Sequence, residues 1–229
     1  MYVKICLPFL LTLAFVLSSF GDAPQYPTTS LNKESGFLKM GEKAPSFVKK
    51  DVLGNKVHLK KVLKNSNILL TFLRPAWCPI CNARTHELIK YYQEMKAQGF
   101  EIIAVYPSTV KELEGYVKDL KIPFTVIADP EEELYRLYGV ERSKEKYAQT
   151  MKEKKGLEAM NKGMELFEKN GNNYGGSQNV KEPIIPADFV LTKNGQKIQK
   201  AHYGAYIGDH VAIEELQDSK IISTTKARF

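Results

Sequence analysis

The chain is short of sulfur. Its 229 residues include three cysteines, too few for a small disulfide scaffold, so a disulfide here would be chemical rather than architectural. Histidine is sparse too. His58, His86, His202 and His210 show no ligand spacing with one another, and there is no second Cys-x-x-Cys. Zinc takes four ligands, or three at an open catalytic site, so no metal is expected, and no organic cofactor. Beyond residue 20 no long apolar run occurs, which excludes a polytopic membrane protein. The chain has no internal repeat. With 43% hydrophobic and 26% charged residues it is neither a disordered tail nor a fibrous repeat. The excess of 33 basic over 26 acidic side chains gives a net charge of +7. The lysines are spread and alternate with glutamates, and no cluster of aromatics and arginines is present to stack bases. The charge therefore reads as solubility, and nucleic acid is not an expected partner.

What is present begins with an address. Met1–Lys4 is a short basic start, Ile5–Phe20 is apolar, and Gly21 and Ala23 are small. This is the order of a secretory signal. Cleavage after Gly21 or Ala23 fits; the alternative is an uncleaved anchor. The run is short for a hydrocarbon core of about 30 Å, and Pro8 interrupts it. Residues 1–23 are read as the signal, 24–40 as a linker, 41–218 as the domain and 219–229 as a tail. The protein is expected to be exported, periplasmic or secreted, touching a membrane only through that segment. Cys6 leaves with the signal, and so do Lys4 and Asp22, which keeps the charge at +7. Two cysteines then remain, Cys78 and Cys81. An exported chain whose only thiols form one Cys-x-x-Cys points to redox work.

The domain alternates strands and helices. Ala44–Val48 and Val57–Leu59 flank a turn at Leu53–Lys56, a hairpin signal. Ile68–Leu73 is a continuous apolar run, the mark of a buried central strand. Pro79–Gln98 reads as a helix with proline in its first turn, Leu88, Tyr92 and Met95 at helical spacing, and Gly99 at its end. Phe100–Tyr106 and Thr125–Ala128 are further strands, separated by a helix from Ser108 or Thr109 to Leu120. Asp129-Pro130 followed by three glutamates predicts a helix start, and Gly139 its end. An insertion at 141–180 interrupts the rhythm. Tyr147, Met151, Leu157, Met160, Met164 and Phe167 lie near helical spacing. They predict one or two amphipathic helices packed on the domain, or a methionine-rich partner surface. Ala187–Thr192 and Gln196–His202 form a terminal hairpin around Lys193-Asn194-Gly195, and Ile207–Gln217 a last helix capped near Asp209. The fold class is α/β: a central mixed sheet with helices on both faces, an N-terminal hairpin, and a helical insertion before the last hairpin.

The candidate site is Trp77-Cys78-Pro79-Ile80-Cys81. It follows a buried strand and opens a helix. A helix N-terminus offers free N–H groups and partial positive charge, which stabilise a thiolate. Two cysteines three apart at such a start can bridge, so one sulfur can attack and the other resolve. The chemistry needs sulfurs that face each other and reach solvent. The competing readings are a static disulfide and inert thiols.

Phe72-Leu73-Arg74-Pro75-Ala76-Trp77-Cys78-Pro79-Ile80-Cys81-Asn82, with Pro186-Ala187-Asp188-Phe189-Val190-Leu191 and Asn194-Gly195, resembles the thioredoxin superfamily. More narrowly, it resembles the peroxiredoxin-like branch of the alkyl hydroperoxide reductase and thiol-specific antioxidant family. The resemblance covers roughly Gly41–Leu216. It implies a thioredoxin-like fold, a cis Ile185–Pro186 bond, and Trp77 and Pro186 as apolar lips that seat a partner. Thioredoxin logic makes Cys78 the nucleophile and Cys81 the resolving thiol. Peroxiredoxin logic assigns peroxide attack to Cys81, and Cys78 takes the place of a threonine or serine. Peroxiredoxins also need an arginine beside the thiolate, from the strand where this chain has Pro186; Arg74 and Arg84 are the candidate substitutes. The implied activity is thiol-dependent reduction of peroxides, cycling through a Cys78–Cys81 disulfide that an external dithiol protein reduces. The alternatives are exchange with protein disulfides and a non-catalytic binding protein.

Overall fold

In a computed structural model the described residues are 36–170 and 182–217; the signal segment, most of the linker, residues 171–181 and the tail lie outside them. The sheet is built on β3 (Asn67–Phe72), buried at every position. On one side it pairs in parallel with β4 (Phe100–Tyr106), which pairs in parallel with β5 (Thr125–Ala128). On the other it pairs antiparallel with β6 (Ala187–Leu191), which pairs antiparallel with β7 (Ile198–Tyr203). The order is β5-β4-β3-β6-β7, a mixed sheet as the alternation predicts.

Period-two alternation sends the side chains of each central strand to two cores. Leu69, Ile102, Ala104 and Tyr106 face one core with Leu88, Tyr92 and Met95 of α2 (Pro79–Ala97), Leu113 and Tyr116 of α3 (Val110–Asp119), and Ile213 and Leu216 of α7 (Ile213–Gln217). Ile68, Leu70, Phe72, Ile103 and Val105 face the other. There they meet Leu59 of α1 (Leu59–Val62) and Leu134 and Tyr135 of α4 (Glu133–Leu137). Both faces are dry, which is why these strands read as continuous apolar runs. The chain thus has the expected thioredoxin-like arrangement, with helices on both faces.

The hairpin expected from Ala44–Val48 and Val57–Leu59 forms with its first arm displaced, as β1 (Val48–Lys50) paired with β2 (Lys56–His58), and Leu59 begins α1. The stretch from Gly41 to Val52, ahead of β2, fastens the borders of the large sheet. Gly41 N–H donates to Ile198 O, and Ile198 N–H to Glu42 O, along β7. At the opposite border the Val52 N–H donates to Val126 O of β5. α3 begins with a full capping box: the Thr109 hydroxyl accepts from the Glu112 N–H, and the Glu112 carboxylate accepts from the Thr109 N–H. The insertion forms two helices, α5 (Lys144–Thr150) and α6 (Lys154–Asn170).

Three local expectations differ from what is found. The helix after Asp129-Pro130 starts only at Glu133, because Glu132 sits at φ +54° in a preceding turn and the Asp129 carboxylate reaches past it to the Leu134 N–H. The last helix is confined to Ile213–Gln217; residues 207–212 are irregular, with Gly208 at φ +94°, and Asp209 accepts backwards from the Ala205 N–H. The Ile185–Pro186 bond is trans. An extended path already carries the chain into β6: the Ile185 N–H donates to Glu141 O, the Pro186 carbonyl accepts from Gly204, and Ala187 pairs with Phe72. The trans isomer, favoured intrinsically, meets all three.

Candidate active site

The loop between β3 and α2 carries the chemistry. Its entry is fixed by the Tyr135 hydroxyl, which lies 2.6 Å from Leu73 O and 2.8 Å from Val105 O and ties the ends of β3 and β4 together. Asn82 closes the loop from inside: its Nδ2 donates to Ala76 O (3.0 Å), and its Oδ1 accepts from Tyr116 (3.3 Å). Cys78 is the N-cap of α2, in extended conformation, and Pro79 is the first helical residue. Its missing N–H costs nothing there. The Cys78 N–H donates to Pro75 O and its carbonyl accepts from Asn82, so the sulfur is held over the helix start.

The two thiols are unbridged and unequal. The Cys78 pKa is lowered to about 6. The main cause is a hydrogen bond from the Cys81 thiol. Burial works against it; the Arg74 charge and the Cys81 and Ile80 N–H groups add to the lowering. Arg74 Nη1 lies 3.4 Å from Cys78 Sγ. Cys81 is pushed well up, first by burial and then by its bond to, and repulsion from, Cys78. Local geometry therefore prepares one thiolate and one protonated thiol, in the thioredoxin order.

The sulfurs face each other as expected but are less open than expected: each cysteine is only 2% exposed. Cys78 instead lines a cavity of about 660 Å³ with Arg74, Trp77, Ile80, Tyr147, Met151, Met160 and Ile207. The far wall is the insertion. Of its predicted stripe, Tyr147, Met151 and Met160 line the cavity, and Arg74 lies beneath the Tyr147 ring, 5.5 Å from its centroid. Lys144 and Glu182 stand exposed at its mouth. The Thr150 hydroxyl accepts from the Ile207 N–H at 2.9 Å, and Lys146 donates to Gly204 O at 3.1 Å, fastening α5 to the body.

Of the residues singled out in the sequence, Cys78, Cys81, Trp77 and Arg74 come together, and two do not join them. Pro186 is buried behind the cavity rather than lining it, and Ile185 packs beside the cysteines in its stead. Arg84 points away along α2. It bonds to Glu87 (2.6 Å) and Val211 O (2.9 Å), and approaches Asp188 of β6 at 3.6 Å. Asp188, fully buried, also meets His210 at 3.1 Å and accepts from the Val211 N–H. That cluster anchors α2 and the 207–212 loop to the sheet. Its only trace in the sequence is one carboxylate inside the apolar strand Ala187–Leu191.

The chain is similar to several known proteins. A thiol-disulfide oxidoreductase ResA from Bacillus thuringiensis is 32% identical over 104 residues, 45% of this chain and 59% of that protein. A chloroplastic peroxiredoxin Q from Sedum lineare is 27% identical over 116 residues, 50% of this chain and 62% of that one. The chain thus spans about three fifths of the length of these curated relatives. Among solved structures, the peroxidoxin BcpB of Mycobacterium tuberculosis superposes with a TM-score of 0.56 at 14% identity, covering 84% of this chain and 99% of that one. A putative thiol:disulfide interchange protein DsbE from Chlorobium tepidum gives 0.52 at 22%, covering 81% and 97%. The family model described as AhpC/TSA matches residues 40–200, and the chain belongs to that family, as a redoxin of the thioredoxin superfamily.

Proposed function

We propose that the protein is a thiol-dependent oxidoreductase that reduces small oxidants, peroxides foremost, with Cys78 as nucleophile and Cys81 as resolving thiol. The observation that carries this reading is an activated Cys78, only 2% exposed, set in the wall of a cavity of about 660 Å³, a space that suits a small oxidant. The Cys78 thiolate attacks the outer peroxide oxygen. The O–O bond breaks, Cys78 becomes a sulfenic acid, and the leaving alkoxide or hydroxide takes a proton from solvent. Cys81 then attacks the sulfenic sulfur, forming Cys78–S–S–Cys81 and releasing water. An external dithiol protein returns the pair to thiols and is itself oxidised. Arg74 holds the thiolate throughout, and Trp77 forms the apolar lip.

A second reading, exchange with protein disulfides, draws support from the likeness to ResA and from the nucleophile being the cysteine after Trp77. The deciding assay offers the reduced protein hydrogen peroxide or a protein disulfide, each with a dithiol reductant. Faster turnover of peroxide supports the first reading; turnover of the protein disulfide alone replaces it with the second. Cys78→Ser stops either reaction, and Cys81→Ser accumulates a sulfenic acid or a mixed disulfide. A double serine variant with full thiol-dependent activity would falsify both; one that is inactive yet still holds a partner leaves a binding protein. Export, with residues 1–23 removed, completes the proposal and is tested by N-terminal sequencing of the protein recovered outside the cytoplasm.

A further inference from the structure

Glycine is a poor residue for the interior of a 17-residue helix, yet α6 carries one at Gly163. The site explains it. A Cβ built on Gly163 would lie 2.0 Å from the Pro79 carbonyl oxygen and 2.3 Å from its carbon. The backbone of α6 rests directly on the first turn of α2, one residue beyond Cys78. Two other glycines allow close approaches around α6. A Cβ on Gly156 would strike Thr150 O at 2.3 Å where α5 turns into α6. A Cβ on Gly208 would lie 2.8 Å from Ile80 and 3.6 Å from Ala159. Ala159 and Met160, on the turn before Gly163, pack on the cluster of Cys78, Ile80, Cys81, Ile185 and Ile207.

We propose that Gly163 is the specificity-determining residue of this site: by letting α6 settle on α2 it holds the insertion low over Cys78, so that slender oxidants reach the sulfur faster than protein disulfides do. The proposal rests on the small-oxidant reading, and adds which residue enforces it. The chemistry at Cys78 is the same for both oxidants; only access differs. A side chain at 163 overpacks the joint and lifts the roof. Truncating Met160 opens the same wall from inside without overpacking.

The test uses the full chain, reduced, as wild type, Gly163→Ala and Met160→Ala, with circular dichroism to confirm folding. Its first arm needs no catalysis. Cys78 is alkylated with iodoacetamide and with a polyethylene-glycol maleimide, and the ratio of bulky to small reagent rates is compared. Overpacking of this severity raises that ratio by about tenfold or more in Gly163→Ala, and Met160→Ala moves it the same way. The second arm repeats the comparison with a protein disulfide against hydrogen peroxide, and the selectivity shifts in parallel. Unchanged ratios in both folded variants overturn the proposal. Should Gly163→Ala not fold, an unchanged ratio in Met160→Ala overturns the proposal, and a raised one supports the covering wall that it rests on. If the alkylation ratio moves but wild type consumes neither oxidant, the roof stands and the reading of the function beneath it is what fails.

Discussion

Arg74 is the side chain whose removal speaks most directly to how Cys78 is activated. Arg74→Met keeps the length of the side chain and discards its charge. The guanidinium nitrogen is 3.4 Å from the sulfur. At that separation and an effective dielectric of about 20 the attraction is about 5 kcal/mol. Spreading of the charge over the guanidinium and water at the cavity mouth reduce it to about 1.5–3 kcal/mol, or one to two pH units in the thiolate midpoint. The sign is upward, because the lost cation favoured the charged form. Near pH 6, where Cys78 is about half ionised, the variant should hold about a fifth to a fiftieth of that thiolate. The assay is the pH profile of iodoacetamide alkylation, followed alongside the ultraviolet absorbance of the thiolate. A correctly folded variant whose midpoint stays near 6 would refute the reasoning and leave the Cys81 hydrogen bond and the helix N-terminus as the sole activators.

Other consequences concern the frame around the site. Asp188→Asn removes the buried carboxylate that His210, Arg84 and the Val211 N–H share, while Arg84 keeps Glu87 and Val211 O, and should cost about 1–3 kcal/mol in urea unfolding. Burial alone would raise the Asp188 pKa, but His210 and then Arg84 outweigh it and hold the carboxyl below its ordinary range. The stability it contributes is therefore present above a pH of about 4 and lost as acid takes the pH down through the folded value; the variant should show a flatter acid limb. Thr109→Ala breaks the capping box of α3 and should cost about 1 kcal/mol, a fall in Tm of about 2–4 °C by calorimetry; an unchanged Tm would mean the cap is satisfied by water.

The parts legible in the sequence are those where local pattern and tertiary setting agree. Phe100–Tyr106 and Thr125–Ala128 are strands with the expected bounds, because an apolar run between two helices adds in parallel to β3, the first beside it and the second as the border strand. Cys78 and Cys81 open a helix because Pro79 can only stand near its start. Reading stops where a side chain answers to a distant partner. Nothing local tells that Arg84 turns to Asp188 while Arg74 turns to Cys78. The stripe from Tyr147 to Met160 says that a helical face is covered, not that it covers the nucleophile. Asp129 shows how a strong local signal is displaced: it does cap, but across a left-handed residue and one turn later than its sequence suggests.

The strand donors at Gly41 and Val52 give the segment ahead of β2 a second significance. A five-stranded sheet has two selvedges, and each bare one is a template on which another chain can zip. Here one short stretch of polypeptide hems both, at Ile198 and at Val126. Protein trimmed to begin at Lys56 would expose both hems and also take Ala44, Phe47 and Val52 out of the cores, and should associate through those borders.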